Sequence, residues 1–161
     1  MQLLAAKMYV MTKKIETTHL EAWRLFLITH ARLVETIDRS LSSAEQIPLN
    51  WYDVLIELYE APDRRLRMHE LAERVVLSRS GLTRLVDRLE HAGLLRREPD
   101  PQDRRGFHTI ITPEGIEAMR RAWPVYAEGI LKGFAQHLSE EEARVLVRGF
   151  SAMLASMRED K

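Results

Sequence analysis

The sequence predicts a mainly α-helical protein with one small β-hairpin wing, and three observations support that prediction. Apolar residues recur at spacings of three and four over long stretches near both ends of the chain. Two strand-like runs occur close together, with turn-forming residues between them. Several of the predicted helices begin or end at a residue suited to capping. The resulting order is helix, helix, short helix, helix, hairpin, helix, helix.

The first predicted helix runs from Thr18 to about Ser42. Its apolar stripe consists of Leu20, Trp23, Leu27, His30, Val34, Ile37 and Leu41. A second helix is predicted from Trp51 to Tyr59, with Asn50 as its N-cap.

The middle of the chain carries a short helix, a turn, a longer helix and the hairpin. The short helix is predicted over residues 69–75, and Ser78 is placed to cap the longer helix, which runs to Ala92. Gly93 follows where a left-handed residue ends a helix. The strand-like runs are residues 94–98 and 107–112, and the residues between them favour turns and loops. This order predicts a winged helix-turn-helix.

Two further helices are predicted after the hairpin. The first has Thr112 as N-cap and Pro113 at its first position, and it continues through Pro124, which is expected to kink it. Ser139 and Glu142 have the spacing of a capping box that opens the last helix.

The 161 residues suit one compact domain with appended helices. We predict an N-terminal arm over residues 1–17 and a winged helix-turn-helix lobe over residues 47–112. Residues 18–46 and 113–161 are predicted to form a helical dimerisation region. Its two outer helices carry more apolar surface than a small lobe can cover, and exposed apolar surface favours association.

Several functional classes find no support in the composition. The chain has no cysteine, which excludes disulfides, thiolate metal sites and a cysteine nucleophile. The six histidines show no close ligand spacing with carboxylates, so we predict no metal site and no cofactor. No Ser–His–Asp spacing or phosphate loop indicates an enzyme.

No apolar run approaches the roughly 18 residues of a membrane span, and the start is a poor signal peptide, so we expect a cytoplasmic protein with no membrane partner. Met8 and Met11 remain alternative translation starts.

Positive charge is concentrated in the middle of the chain, although the whole sequence balances 24 basic against 24 acidic residues. Residues 64–108 contain eleven arginines, no lysine and seven acidic residues, a net charge of +4 against −4 elsewhere. The planar fork of arginine makes paired hydrogen bonds to phosphate and to guanine edges. This distribution favours a polyanionic partner.

The helix that follows Ser78 is predicted to have two different faces. Its apolar face consists of Leu82, Leu85, Val86 and Leu89, and its opposite face of Ser80, Thr83, Arg84, Asp87, Arg88 and His91. The polar face could enter a DNA major groove, with the N-terminal residues nearest the bases. The alternative is a solvated amphipathic helix in which Arg84 and Asp87 form an ion pair.

Asp103, Arg104 and Arg105 fall in the predicted hairpin loop, followed by Gly106. An arginine at a hairpin tip can reach into a narrow minor groove, and a nearby carboxylate can hold its guanidinium in position. An ordinary polar loop is the alternative.

From about Trp51 to Gly115 the sequence resembles the MarR (multiple-antibiotic-resistance regulator) family of bacterial winged-helix transcription factors. The motifs that carry the resemblance are LAE at residues 71–73, LSRSGLTRLVDRLE at 77–90, GLLRR at 93–97, DRR at 103–105 and TPEG at 112–115.

The resemblance implies a homodimer that binds palindromic double-stranded operator DNA, usually as a repressor that a small, often aromatic or phenolic, effector releases. Some members of the family sense oxidants through cysteine. This chain has no cysteine and therefore lacks that mechanism. The DNA-binding residues that the resemblance implies are Ser78, Arg79, Ser80, Thr83, Arg84, Arg88, Asp103, Arg104 and Arg105.

An effector site is predicted at aromatic residues of the first two helices, which border the effector cleft in the resembling family. The candidates are Trp23, Phe26, His30 and Trp51. Packing in the core or at an interface explains the same residues. For the whole chain, the alternative function is a winged-helix module that contacts an acidic protein without sequence-specific DNA binding.

Overall fold

The computed structural model describes residues 15–75, 79–100 and 103–159, which form six α-helices and three β-strands. The helices are α1 (Thr17–Ser43), α2 (Leu49–Glu60), α3 (Met68–Arg74), α4 (Arg79–His91), α5 (Pro113–Gly133) and α6 (Glu140–Glu159). The strands are β1 (Arg65–Arg67), β2 (Leu95–Asp100) and β3 (Asp103–Ile111). Short 3₁₀ turns at Pro62–Arg64 and Ala135–His137 precede β1 and α6. The helical order predicted from the sequence is confirmed.

Among the described residues the chain divides into two compact units, one that ends at residue 35 and one that begins at residue 36. The first unit contains the N-terminal part of α1, whose side chains are largely exposed. The second contains the end of α1, the sheet and the other helices. Ile37 and Leu41, from the predicted stripe of α1, are buried within the second unit.

The wing has three antiparallel strands, in the order β1-β3-β2. The predicted hairpin of β2 and β3 is confirmed, but the sequence prediction missed β1, whose three residues are too few to show an alternating pattern. Leu66 pairs with Thr109 across β1 and β3, and the Thr109 hydroxyl donates a hydrogen bond of 2.8 Å to the Leu66 carbonyl oxygen. Because β1 precedes α3 directly, this pairing ties the first helix of the helix-turn-helix to the wing.

The predicted loop over residues 99–106 is wrong. Strands β2 and β3 continue through most of it, and residues 101–102, which separate them, lie outside the described residues. Pro99 pairs with Phe107 and Asp100 with Asp103, with a register irregularity between Pro99 and Asp100. Proline suggested a loop, yet β2 is an edge strand, where a residue without an N–H is tolerated.

Asn50 does not cap α2, contrary to the sequence prediction. The helix begins at Leu49, two residues earlier than predicted, and the Leu49 N–H donates a hydrogen bond of 2.9 Å to Oδ1 of Asp38, near the end of α1. The N–H of Leu49, the first residue of α2, therefore receives its acceptor from a neighbouring helix rather than from its own segment.

The other helix ends follow the sequence. Gly93 has a φ of 73°, and α4 closes with hydrogen bonds from Gly93 N–H to Glu90 and from Leu94 N–H to the Leu89 carbonyl oxygen, a Schellman motif. The Thr112 hydroxyl accepts from the backbone N–H of Gly115 at 3.1 Å, and α5 continues through Pro124.

The capping box at the start of α6 is also confirmed. The Ser139 N–H donates to the Glu142 carboxylate at 2.8 Å, and the Glu142 N–H donates to the Ser139 hydroxyl at 3.3 Å.

The core of the second unit lies where α2, α3, α4 and the wing meet. Its fully buried aliphatic side chains are Leu41, Val54, Leu55, Leu58, Leu71, Leu82, Leu85, Val86, Leu89 and Leu95. Four of them come from α4, so burial holds that helix firmly along one side. Within the described ranges, no helix has the length and apolar character needed to cross a membrane.

Candidate nucleic-acid interface

Helix α4 presents two faces of opposite character. Leu82, Leu85, Val86 and Leu89 are at most 1% exposed and pack into the core. On the other side Thr83, Arg84, Asp87, Arg88 and His91 are exposed, as predicted from their spacing. A buried stripe on one side and polar side chains on the other allow the helix to meet a ligand surface without losing its packing.

Arg84 and Arg88 lie four residues apart and therefore share the exposed face of α4. Within the described part of the chain, neither guanidinium forms an ion pair with a carboxylate. The alternative interpretation, in which Arg84 pairs with Asp87, is wrong, because Asp87 pairs with Arg97 of β2 instead. Both arginines are thus available to an anion from outside.

Arg97 connects the wing to α4. Its Nη2 lies 2.6 Å from Oδ1 of Asp87, its Nη1 lies 2.5 Å from Oε2 of Glu90, and its backbone N–H donates to the second Glu90 oxygen at 2.9 Å. Burial opposes the charge of this guanidinium, but the hydrogen bonds that it donates to Asp87 and Glu90 outweigh burial and raise the pKa of Arg97. The bridge fixes β2 relative to α4.

A second ion pair supports the far end of the wing. Nη2 of Arg67 lies 2.6 Å from Oδ2 of Asp100, whose side chain is only 2% exposed. The Arg67 backbone N–H donates to the Glu70 carboxylate at 2.7 Å, at the first turn of α3. The end of β1, the start of α3 and the end of β2 are therefore held together.

These ion pairs change how the positive charge of the arginine-rich segment, residues 64–108, is interpreted. Arg65, Arg67, Arg74, Arg96 and Arg97 all belong to the arginine-rich segment, and each lies within 4.0 Å of a carboxylate oxygen. Much of the local positive charge is therefore paired within the fold, and among the described side chains of α4, Arg84 and Arg88 are the exposed arginines without an ion pair.

The remaining predicted DNA-binding residues are only partly covered by the structure. Ser78 lies outside the described residues, and so do the side chains of Arg79, Ser80, Asp103, Arg104 and Arg105. The backbone of residues 79–80 opens α4. The backbone of residues 103–105 begins β3, rather than forming the open loop expected from the sequence.

The four predicted effector residues fall into two groups. Trp23, Phe26 and His30 lie along one side of α1, with ring-centroid distances of 5.9 Å between the first two and 6.1 Å between the last two. All three are exposed, and they belong to the first unit. Trp51 is half-buried on α2 in the second unit. An effector site at these residues stays a prediction.

A cavity between α2 and α5 was not identified from the sequence. Its volume is about 420 Å³, and its lining includes Tyr52, Asp53 and Glu60 of α2 and Trp123 and Tyr126 of α5, with two isoleucines. The lining residues of each helix are spaced three, four and seven positions apart, and this spacing, which places them on one face of the helix, is visible in the sequence. The sequence does not say, however, that these two faces meet.

The surroundings raise the pKa of three groups of this cavity, Tyr52, Asp53 and Tyr126. Part of the Asp53 side chain is exposed, yet protein atoms around its carboxyl group restrict hydration and, with a smaller contribution from negative Glu57, raise its pKa to about 6. Burial, followed by nearby negative groups, also raises the pKa of Tyr52 and of Tyr126. The cavity lining thus combines two carboxyl groups, Asp53 and Glu60, with aromatic rings.

No group of three histidine, aspartate or glutamate side chains is arranged to hold a metal ion in the described ranges. The features that the structure does bring together are a helix-turn-helix, a three-stranded wing and an exposed pair of arginines on the second helix. They define a winged helix-turn-helix protein, an architecture that places its second helix in a DNA groove.

Comparisons with known proteins agree with this class. A profile described as the MarR family matches residues 45–106. Sco3205, a MarR family transcriptional regulator from Streptomyces coelicolor solved in complex with DNA, is 32% identical, with 89% of this chain and 90% of that chain covered and a TM-score of 0.80. AbsC, another MarR family regulator from Streptomyces coelicolor, is 29% identical, with 92% and 99% covered and a TM-score of 0.80.

The transcriptional repressor MprA of Escherichia coli is 30% identical over 101 residues, which are 63% of this chain and 57% of MprA. The chain spans less than two thirds of the length of the curated relatives it matches most strongly.

The chain belongs to the MarR family of DNA-binding transcriptional regulators, as its resemblance in sequence suggested. Members of this family are regulators of transcription and not enzymes.

Proposed function

We propose that this chain represses transcription by binding palindromic operator DNA as a homodimer, and that a small effector releases it. The observation that carries the proposal is the exposed face of α4, where Arg84 and Arg88 have no carboxylate partner among the described residues. Guanidinium groups on a helix held by its opposite side can reach base edges and phosphates in a major groove.

The residues proposed to contact DNA are those implied by the resemblance: Ser78, Arg79, Ser80, Thr83, Arg84, Arg88, Asp103, Arg104 and Arg105. Arg84 is proposed to read bases and Arg88 to bind phosphate. The complex of Sco3205 with DNA supports this proposal, because that regulator is 32% identical over 89% of this chain. Action on genomic DNA also fits the cytoplasmic location expected from the sequence.

Homodimer formation is supported by apolar side chains near both ends of the chain. Trp23 on α1 is 59% exposed, and on α6 Val147, Leu154 and Met157 are 64%, 59% and 65% exposed. Soluble monomers rarely expose apolar patches of this kind, because covering them against a second copy is favourable. Two symmetric copies would place two α4 helices against half-sites about 34–36 Å apart.

Repression, rather than activation, is proposed because of the likeness to the repressor MprA. The effector is proposed to be a small compound with an aromatic ring, for which the chain offers aromatic residues on α1, α2 and α5.

A salt titration tests DNA binding directly. The full chain is titrated against DNA fragments from the promoter upstream of its own gene, and the logarithm of the affinity should fall steeply and linearly with the logarithm of salt concentration. A scrambled duplex of equal length and composition is the control, and it should bind more weakly at every salt concentration. A flat salt dependence, or equal affinity for both duplexes, would contradict the proposal. The second result would instead favour contact with an acidic protein partner.

A further inference from the structure

The cavity between α2 and α5 has the size of a small-molecule site. Its volume of about 420 Å³ lies within the roughly 300–1,000 Å³ usual for ligand pockets. All of its lining residues belong to the second unit, and Ile56 and Ile130 supply apolar walls. The cavity is open to solvent on one side, and an apolar or aromatic group of moderate size can therefore pack against its walls.

Three aromatic rings give the cavity a specific chemical character. The rings of Tyr52 and Tyr126 lie edge to face, with centroids 4.8 Å apart and an interplanar angle of 69°. Trp123 stands nearly perpendicular to Tyr126, at 6.1 Å and 88°, and it is 50% exposed. The faces of aromatic rings are electron-rich and attract cations, and the half-exposed Trp123 is the most accessible of the three rings.

The charged groups of the lining are both acidic. Asp53 and Glu60 line the cavity, and among the described residues no lysine, arginine or histidine does so. Neither carboxylate forms an ion pair with a basic group in the described part of the chain. The nearby Glu57 has its own partner, Arg74 of α3, with 3.7 Å between Nη1 and Oε2.

We propose that this cavity binds an organic cation whose aromatic or apolar body packs against Tyr52, Trp123 and Tyr126 while its positive centre faces Asp53 and Glu60. The inference rests on the proposed function in one respect, because it assigns a chemical class to the effector. It also disfavours an anionic aromatic effector, since a carboxylate would be repelled by both acidic side chains.

The titration of Asp53 adds a pH dependence. The titratable groups that interact with its carboxyl group are Glu57 and Tyr52 of its own helix and Tyr126 of α5, none of which is positive, and Glu60 lines the same cavity. With its pKa raised to about 6, Asp53 is mostly neutral at pH 5 and mostly charged at pH 7. A cation binds the charged form more tightly, so its affinity should rise between these two pH values.

Isothermal titration calorimetry with three compounds of similar size tests the ligand class on the full chain. Benzyltrimethylammonium carries a positive charge, N-benzylacetamide is neutral and phenylacetate is negative. The cation should bind at one site per chain, at least about tenfold more tightly than the other two. Absence of cation binding, or phenylacetate binding as tightly as the cation, would overturn the proposal.

Two charge-removing variants locate the site. Asp53→Asn and Glu60→Gln keep the shape of each side chain, and each should weaken benzyltrimethylammonium binding about tenfold. Asp53→Asn should also remove the rise in affinity between pH 5 and pH 7. The matched control is Glu117→Gln, an exposed residue of α5 outside the cavity, which should leave binding unchanged. Circular dichroism confirms that each variant folds. Unchanged affinity in both folded cavity variants would overturn the assignment.

Operator binding by the same preparations separates this inference from the proposed function. If DNA binding is intact and the cation does not bind, the ligand assignment fails and the regulatory function stands. If the cation binds as described and no DNA fragment shows salt-dependent binding, the regulatory function fails and the cavity assignment stands.

Discussion

Arginine side chains have two different roles in this protein, and their partners distinguish them. Arg67 and Arg97 make short ion pairs that join secondary-structure elements. Arg84 and Arg88 are exposed on α4 and have no such pair in the described ranges. Residues of the same type, within one basic segment, therefore divide between support of the fold and a surface for an external anion.

Replacing the two exposed arginines should affect DNA binding in different ways. Arg84→Ala should cost about 1–3 kcal/mol of binding free energy and reduce the preference for the operator, because a base contact is lost. Arg88→Ala should weaken operator and scrambled duplex alike and lower the slope of the salt dependence by about 1, because a phosphate contact is lost. Fluorescence anisotropy over a salt series measures both quantities.

The control for these substitutions is Arg120→Ala, an exposed arginine of α5. It removes the same charge away from α4 and should change the affinity little. If Arg120→Ala weakens binding as much as Arg84→Ala does, the effect reflects net charge and not a contact made by α4.

At the scale of elements, the wing and α4 act as one body. Arg97 of β2 contacts Asp87 and Glu90 of α4 at 2.6 Å and 2.5 Å, and its side chain is 22% exposed. Strand β1, which pairs with β3, leads directly into α3. Contacts of the wing and of α4 with DNA would consequently be made in a fixed relative geometry.

Arg97→Met should weaken this connection while keeping the apolar part of the side chain. We expect a loss of about 1–2 kcal/mol in the free energy of unfolding, limited because Asp87 and Glu90 are partly solvated. Operator affinity should also fall, since the wing is no longer held against α4. Urea denaturation and fluorescence anisotropy measure the two effects.

Arg96→Met provides the comparison on the same strand. Arg96 pairs with Glu98 at 2.6 Å, but both side chains are about half exposed and both belong to β2. Its loss should cost at most about 1 kcal/mol of stability. Equal effects of the two substitutions would show that Arg97 does not connect the wing to α4.

At the scale of the whole molecule, apolar side chains near both ends of the chain remain uncovered. On α6, Met153, Leu154 and Met157 are more than half exposed, and so is Trp23 on α1. Dimer formation would remove such surface from water, at about 25 cal/mol for each Å² of apolar area. The helical region outside the winged helix-turn-helix would then determine the spacing of the two α4 helices.

Leu154→Asp should shift the chain from dimer to monomer, because burying an unpaired carboxylate in an apolar interface is strongly unfavourable. Analytical ultracentrifugation over a concentration series measures this change. Glu141→Asn, at an exposed polar position near the start of the same helix, should leave association unchanged. A Leu154→Asp protein that associates as the unmodified chain does would show that this part of α6 is not an interface.

The helix order, the capping of α5 and α6 and the left-handed Gly93 all follow from local sequence, because each depends on residues a few positions apart. The two faces of α4 follow as well, since a helix converts spacing into direction. Strand β1, the acceptor that Asp38 provides to α2, and the bridge from Arg97 to Asp87 could not be inferred, because each joins residues ten or more positions apart.

Local chemistry thus accounts for the winged helix-turn-helix and its basic segment, and for the family resemblance that rests on them. Folding in three dimensions selects which arginines are neutralised, and it brings the aromatic and acidic faces of α2 and α5 together around a cavity. The physical reason is that short-range backbone preferences are encoded within a few residues. Side-chain pairing and enclosed volume instead depend on which distant surfaces pack against one another.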